Sequence, residues 1–230
     1  MAYNLGWLSN GSGAPASFSD SFSSNQNPIA SPWVKNSTVN QDVIVTGGVA
    51  TNNTTNTNND DAYAYVDPAY FTAPNDDYEV TVTYAAPGPD AMETEILLRL
   101  TDTSSTYSAY EVLLNGSGYE IVQINGGFGG NYVEFNGANG TPNTVGSLPV
   151  SLSTGDQIRA RVTGTNPVNI QCWYSISTQS GGAWTSFINC NDSSADRKTS
   201  GQPAMGFYTS AGGGSTPGDK GWSDFSVVAV

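Results

Sequence analysis

Two pairs of acidic residues have the spacing that glycoside hydrolysis would need. Glu93 and Glu95 are two positions apart, as are Asp77 and Glu79, and each pair falls in a stretch with the pattern of a β-strand. Side chains two positions apart on a strand share a face, where two carboxyls can approach the separation of about 5–5.5 Å used in retaining hydrolysis. Neither stretch supplies a complete acid and base set. We therefore predict no catalytic residues and expect that the protein is not an enzyme.

Histidine is absent from the sequence, which excludes several mechanisms at once. A Ser-His-Asp or Cys-His nucleophile needs histidine, as does a histidine zinc site. Calcium stays open, because Asp60-Asp61 and Asp76-Asp77 fall in loops rich in oxygen ligands, although no EF-hand spacing is present. Turn formation is the simpler explanation of these aspartates. We therefore expect no cofactor, with a structural calcium ion as the alternative.

Five aromatic residues are candidates for binding a carbohydrate or a protein partner. An exposed aromatic ring can stack on the apolar face of a pyranose while asparagine and aspartate bind its hydroxyls. The alternative, that the ring fills the core or the space between sheets, stays open at each position. The candidates are Trp7, Phe128, Tyr132, Trp173 and Trp184.

The composition argues against two classes of partner. The chain has 20 acidic and 7 basic residues and a formal net charge of −13. Nucleic acids and anionic membranes are bound largely through Lys and Arg, so we expect neither as a partner.

The sequence begins without the basic and apolar regions of a signal peptide, and we expect no export signal and no membrane segment. Cys172 and Cys190 are too few to indicate a compartment, so free thiols and a disulfide both stay open.

The elements that position these residues are predicted to be strands, organised around residues 95–125. Apolar residues alternate there through two strands, and the pattern resumes after an Asn-Gly turn. A period of two predicts one buried face for each strand. The residues predicted to share the buried faces are Ile96, Leu98, Leu100, Tyr110, Val112 and Leu114, with Arg99 on the opposite face.

The remaining chain continues this pattern, and Ile158, Ala160 and Val162 mark a strand whose outward residues are Arg159 and Arg161. Tyr78, Val80, Val82 and Tyr84 are predicted to point inward, and residues 43–49 are predicted to form one strand with a bulge or bend at Gly47-Gly48. About twelve strands, with no helix and no repeat, predict an all-β fold: a two-sheet antiparallel β-sandwich of the jelly-roll type. We expect an N-terminal arm over residues 1–16, able to dock on a partner, and a single domain over residues 17–230.

The order of strands, turns and aromatic positions over about residues 17–230 resembles the concanavalin A-like lectin/glucanase superfamily, in its laminin-G-like bacterial and viral branches. The resemblance rests on Phe-x-Asp-x-Phe at 18–22, the strands of 97–123, the stretch GDQIRARVTG at 155–164 and the ending WSDFSVV at 222–228. It implies a lectin-like jelly roll, which often carries calcium. A hydrolase of this superfamily would carry Glu-x-Asp-x-x-Glu, and the nearest stretch, 93–98, lacks the Asp and the second Glu.

Three classes of function fit the sequence. The first is a non-catalytic structural or adhesive surface protein of a virus particle, such as a bacteriophage capsid decoration or fibre protein. It would be made in the cytoplasm, lie on the virion surface and contact a capsid or other virion protein, a cell-surface glycan, or both. The second is a carbohydrate-binding, lectin-like module, which would be extracellular. The third is a glycan hydrolase or lyase of the same fold. A homo-oligomer is open in each case.

Overall fold

The protein is built from β-strands. The computed structural model describes residues 15–35, 41–53, 60–85, 92–103, 106–115, 118–126, 131–134, 146–149, 151–178, 182–209 and 220–230. Within these ranges the chain forms sixteen strands and one 3-10 helix at Pro74–Asp76. The strands are β1 (Ser17–Asp20), β2 (Trp33–Lys35), β3 (Val43–Thr46), β4 (Val49–Asn52), β5 (Asp60–Val66), β6 (Tyr78–Ala85), β7 (Met92–Asp102), β8 (Tyr107–Asn115), β9 (Gly118–Asn125), β10 (Asn131–Glu134), β11 (Gly146–Ser147), β12 (Gln157–Thr163), β13 (Val168–Ser175), β14 (Thr185–Asp192), β15 (Gln202–Thr209) and β16 (Gly221–Ala229).

The strands form two antiparallel sheets of eight strands each. Sheet A has the order β14-β13-β12-β6-β16-β4-β3, with β1 also paired to β16. Sheet B has the order β10-β9-β8-β7-β15-β5-β2, with β11 also paired to β9. The predicted all-β jelly-roll sandwich is therefore confirmed, and the last strand, β16, pairs with the first, β1.

The main core lies between the two sheets and draws on both. Residues on the inner face of β6, β12 and β16 pack against residues on the inner face of β7, β8 and β15. This follows from the alternation in the sequence, because each of these strands has an apolar residue at every second position. The predicted inward residues Tyr78, Val80, Val82 and Tyr84 are all buried in this core, together with Trp222 and Phe225.

A second buried layer lies on the opposite face of sheet B. Its apolar members are Tyr63, Leu97, Leu100, Tyr107, Ala109, Val122, Ile124 and Ala204. The prediction that Leu100 shares a face with Ile96 and Leu98 is therefore wrong. A bulge between Leu98 and Thr101, with Arg99 at φ 55°, reverses the alternation at this point. Bulges add a residue on one strand, so side chains beyond them change face.

One end of the sandwich is closed by Arg99, whose side chain is fully buried. Its Nε donates to the carbonyl of Asp76, and its Nη1 donates to the carbonyls of Gly164 and Lys198 at 2.8 and 2.9 Å. Its Nη2 forms an ion pair with Asp77 at 2.9 Å. The guanidinium thus joins β7 to three other chain segments. The regular alternation that placed Arg99 on the face opposite Ile96 and Leu98 fails here because of the same bulge that displaces Leu100.

The structure also describes the segment 43–49, the two cysteines and the absence of a membrane-spanning helix among the described residues. Residues 43–49 form the two strands β3 and β4, joined by a turn in which Gly47 and Gly48 adopt φ of 59° and 84°, so the prediction of one strand is wrong. Cys172 and Cys190 are buried free thiols. In the part of the chain that the structure describes, no helix is long and apolar enough to cross a membrane.

Residues 1–14 of the predicted arm (1–16) lie outside the described residues. Ala16 accepts a hydrogen bond from the backbone of Ala229, and Pro15 accepts one from Thr72. These last two residues of the predicted arm therefore contact the sandwich. The division into an arm and one domain stays a prediction.

Candidate functional site

The candidate site lies on the outer face of sheet A and begins with strand β12. Ile158, Ala160 and Val162 are fully buried in the core, so the residues between them, Arg159 and Arg161, project to the other side of the sheet. In the register of the sheet, Arg159 lies between Trp173 of β13 and Thr81 of β6. Two guanidinium groups are therefore presented side by side on one face.

Each of these arginines contacts a tryptophan ring. The guanidinium carbon of Arg159 lies 3.9 Å from the centroid of the Trp184 ring, and that of Arg161 lies 5.3 Å from the centroid of the Trp173 ring. Both distances are in the range of cation–π contacts, which stabilise by about 0.5–1 kcal/mol at exposed sites. Both tryptophans are half-buried. The contacts hold the indole rings in place while leaving part of each ring at the surface.

Glu79 of β6 forms ion pairs with both arginines. It is 9% exposed, and its Oε2 accepts hydrogen bonds from Nε and Nη2 of Arg161 at 2.9 and 2.5 Å. Its Oε1 lies 3.1 Å from Nε of Arg159. We call Glu79, Arg159, Arg161, Trp173 and Trp184 the platform. It combines two flat apolar rings with two cations and a single anion.

A row of amide side chains continues the same face beside the platform. Asn169 and Gln171 alternate with buried residues along β13, as Trp173 does, and they pair with Asn191 and Asn189 of β14. Nδ2 of Asn169 donates to the side-chain oxygens of Asn189 and Asn191 at 3.1 and 2.8 Å. An amide carries both donors and acceptors, so the row can donate hydrogen bonds to hydroxyl groups and accept hydrogen bonds from them.

The structure brings together two of the five predicted binding residues. Trp173 and Trp184 lie on the same sheet face and belong to the platform, not to the core. Trp7 and Phe128 lie outside the described residues. The backbone of Tyr132 is in β10, but its side chain also lies outside the described part. Sequence reasoning placed Arg159 and Arg161 outward without assigning them a role, and the signal available was their alternation with Ile158, Ala160 and Val162.

Of the two acidic pairs considered from the sequence, Glu93 and Glu95 stay close together on β7, whereas Asp77 and Glu79 bind different groups. Asp77 accepts hydrogen bonds from Arg99 and from the backbone of Gly164, whereas Glu79 is held by the platform arginines. Glu95 lies on the outer face of sheet B, where it forms a pair that the sequence did not suggest, with Glu111 of the neighbouring strand β8.

The Glu95–Glu111 pair is deeply buried, with side chains only 1% and 4% exposed. Among the described residues no donor group reaches either oxygen of Glu95, and its hydrogen-bond partner is the carboxyl of Glu111. Burial is the main cause that raises the pKa of Glu95 well above its usual value, and neighbouring Glu111 and Asp61 add to the effect. Burial likewise raises the pKa of Glu111 from 4.5 to about 8. Burial therefore favours the protonated form of both carboxyls.

Three of the four aspartates considered for calcium have other neighbours, and the side chain of the fourth, Asp60, lies outside the described part. Asp77 is paired with Arg99, and Oδ1 of Asp76 accepts from the backbone of Gly201. Asp61 is buried beside the Glu95–Glu111 pair. In the described ranges, no group of three or more carboxylate or cysteine side chains is arranged to hold a metal ion.

Comparison with known proteins gives a likeness in structure only. No family model matches the sequence, and no characterised protein matches it either. A Shewanella oneidensis protein of unknown function is 13% identical over 94% of this chain and 88% of its own, with a TM-score of 0.53. A glycosidic hydrolase is 11% identical over 94% and 97%, with a TM-score of 0.51. A legume lectin-like domain from Entamoeba histolytica is 11% identical over 91% and 97%, with a TM-score of 0.50.

These neighbours include both a lectin-like domain and a hydrolase, so the likeness does not decide between binding and catalysis. It agrees with the two-sheet antiparallel sandwich described above. The chain shares a two-sheet antiparallel jelly-roll fold with these neighbours.

Proposed function

We propose that this protein is a non-catalytic glycan-binding protein and that it binds carbohydrate through the platform on sheet A. The observation that carries the proposal is the pair of half-buried tryptophans, Trp173 and Trp184, held on one sheet face by arginine contacts at 5.3 and 3.9 Å. Rings that are already ordered lose little conformational entropy when a sugar stacks on them.

The surroundings of the rings suit a sugar. A pyranose has an apolar face of C–H groups and a rim of hydroxyls, and it needs both an aromatic surface and polar partners. The amide row of Asn169, Gln171 and Asn189 lies beside Trp173 on the same face, next to the guanidinium groups. An aromatic surface with flanking amides matches the two sides of a sugar ring.

The carboxylate of the platform is poorly placed for catalysis. A glycoside hydrolase needs one carboxyl that can deliver a proton and another that can attack or activate water. Glu79 is tied to two guanidinium groups and is the only carboxylate of the platform. This supports binding without bond cleavage at this site.

A second candidate function, glycoside hydrolysis, is favoured by the Glu95–Glu111 pair. Two carboxyls on adjacent strands, with pKa values raised by burial, are the kind of groups that hydrolases use as acid and base. Glu95 is 1% exposed, which argues against contact with a substrate. If this candidate were correct, the protein would release reducing ends from a β-glucan such as laminarin, and Glu95→Gln would abolish the release.

The first prediction concerns the tryptophans. On a glycan array, the wild-type protein is expected to bind at least one class of oligosaccharide, and Trp184→Ala and Trp173→Ala are each expected to weaken this binding at least about tenfold. The physical reason is the loss of a flat apolar contact at the centre of the site, where one aromatic residue commonly contributes about 1.4 kcal/mol or more.

Tyr70→Ala is the matched control, because Tyr70 is an aromatic residue that is 43% exposed and lies outside the platform. It should bind glycans as the wild type does. Melting curves of all variants verify that they are folded. Retention of wild-type glycan binding by both tryptophan variants would contradict the proposal.

The adhesive role on a virus particle stays a prediction. The Asn- and Thr-rich sequence, in which only 12% of residues are charged, favours it, and a glycan-binding platform is compatible with adhesion to a cell surface. A capsid or other virion partner, a homo-oligomer and a location on the virion surface likewise stay predictions of the sequence.

A further inference from the structure

The guanidinium group of Arg159 has unused hydrogen-bonding capacity. Its Nε is buried and donates no hydrogen bond to any described residue, although it lies 3.1 Å from Oε1 of Glu79. The hydrogen bonds to Glu79 come from Arg161, which directs both Nε and Nη2 to Oε2. Unsatisfied buried donors are costly, and native structures rarely keep them without a reason. Arg159 is thus held in place by an ion pair at its buried Nε and by a ring contact, and the exposed part of its side chain is left for a ligand.

The local charge also differs from that of the whole chain. The protein has 7 basic residues against 20 acidic ones, and two of the basic residues, Arg159 and Arg161, project from the same strand face. They share a single carboxylate, that of Glu79, which leaves the platform with an excess of positive charge. The side chains of Arg159 and Arg161 are 29% and 36% exposed, so a ligand can reach them.

We propose that the glycan bound by the platform is acidic, and that Arg159 binds its carboxylate or sulfate group. The inference rests on the proposed function and names the class of ligand. A guanidinium presents a planar fork of donors that matches the oxygens of an anionic group, and such charge-assisted bonds are about twice as strong as neutral ones. Trp184 below Arg159 orients the fork, and the sugar ring that carries the anionic group lies over the exposed part of the tryptophans.

Glu79 has a positioning role in this arrangement. Its ion pairs restrain both arginines, which reduces the entropy lost when the anionic ligand is bound. Because one carboxylate serves two guanidinium groups, it orients them without cancelling their charge. A lysine at position 159 would keep the charge but not the planar fork or the stacking on Trp184.

The test uses isothermal titration calorimetry of the full chain with defined probes. Tetragalacturonate carries carboxylates, and its fully methyl-esterified form is the neutral match. Chondroitin tetrasaccharides with and without 4-sulfate separate sulfate from carboxylate as the preferred group. We expect at least one acidic probe to bind at least about tenfold more tightly than the neutral ester, a difference of about 1.4 kcal/mol. Raising the salt concentration from about 50 to 500 mM should weaken this binding but not the residual neutral binding.

Three variants locate the effect. Arg159→Met should remove the preference for the acidic probe, and Arg159→Lys should restore only part of it. Lys35→Met is the control, because it removes one positive charge from β2, outside the platform, and should leave the preference unchanged.

The outcomes separate this inference from the proposed function. If the methyl ester binds as tightly as the acid and Trp184→Ala abolishes both, the platform binds neutral glycans and the acidic ligand is refuted. If Arg159→Met keeps the acidic preference, Arg159 is not the anion contact and the inference is likewise refuted. If no probe and no glycan on the array binds, both the inference and the proposed function fail.

Discussion

Replacement of Arg99 with methionine is expected to lower the free energy of unfolding by about 3–5 kcal/mol, the usual cost of removing one partner from a buried ion pair. Methionine fills much of the space but donates no hydrogen bond. The carbonyls of Asp76, Gly164 and Lys198 would lose their donor, and Asp77 would keep its charge without its partner. These losses fall on one end of the sandwich, where loops from both sheets meet.

Arg197→Met is the matched control for this change. Arg197 also donates to backbone carbonyls, those of Thr165 and Ser194, but at exposed contacts. Arg197→Met should lower the free energy of unfolding by less than about 1 kcal/mol. Urea denaturation with the same slope for all three proteins gives the comparison. Equal stability of the two variants would show that Arg99 does not hold this end of the fold together.

The protein is also expected to become less stable as the pH rises from about 4.5 to about 8, through the Glu95–Glu111 pair. Burial raises the pKa of Glu111 from 4.5 to about 8, and that of Glu95 is raised as well. Over this range the folded state keeps protons that the unfolded state releases. The stabilising contribution is therefore fully present below pH 4.5 and is lost as the pH approaches 8. Each proton contributes a slope of up to about 1.4 kcal/mol per pH unit.

Charges around the pair act in the same direction. Asp61 of β5, Glu93 of β7 and Glu120 of β9 all raise the pKa of Glu111, and Tyr63 lies against the same group. Glu111→Gln removes one titrating carboxyl and should flatten the dependence of unfolding free energy on pH in this range. Asp224→Asn, which makes the same change at an exposed position, should leave the slope unaltered. A wild-type protein whose stability rises between pH 4.5 and 8 relative to Glu111→Gln would contradict this account.

The sequence predicted the sandwich because its strands alternate cleanly. β6 and β12 bury every second residue, and the period of two was enough to place Val80 and Ile158 inward and Arg159 outward. The alternation failed where the backbone departs from a regular strand. The bulge at Arg99 needs a positive φ that no apolar pattern encodes, and it turned both Arg99 and Leu100 to unexpected surroundings.

The candidate site was only partly predictable, because it depends on register. Trp173 and Trp184 could be selected as aromatic residues, but their proximity to Arg159 requires the pairing of β12 with β13 and the start of β14. The Glu95–Glu111 pair also depends on register. Glu111 lies directly across from Leu97, which is two residues after Glu95 on β7, so the two carboxyls are diagonal neighbours on the same face. Gly206, opposite Glu95 on β15, provides the space for the Glu95 side chain, since an added Cβ there would overlap with it.

The most direct test of the glycan platform is a heteronuclear NMR titration of the tryptophan indole N–H signals, with the tightest-binding oligosaccharide of the array as ligand. Trp173→Phe and Trp184→Phe assign two of the signals, and the buried Trp33 and Trp222 are internal references. The account predicts that the signals of Trp173 and Trp184 shift with ligand concentration and saturate together, while those of Trp33 and Trp222 stay in place. Saturation of binding with no change at Trp173 or Trp184 would show that carbohydrate binds elsewhere and would contradict the account.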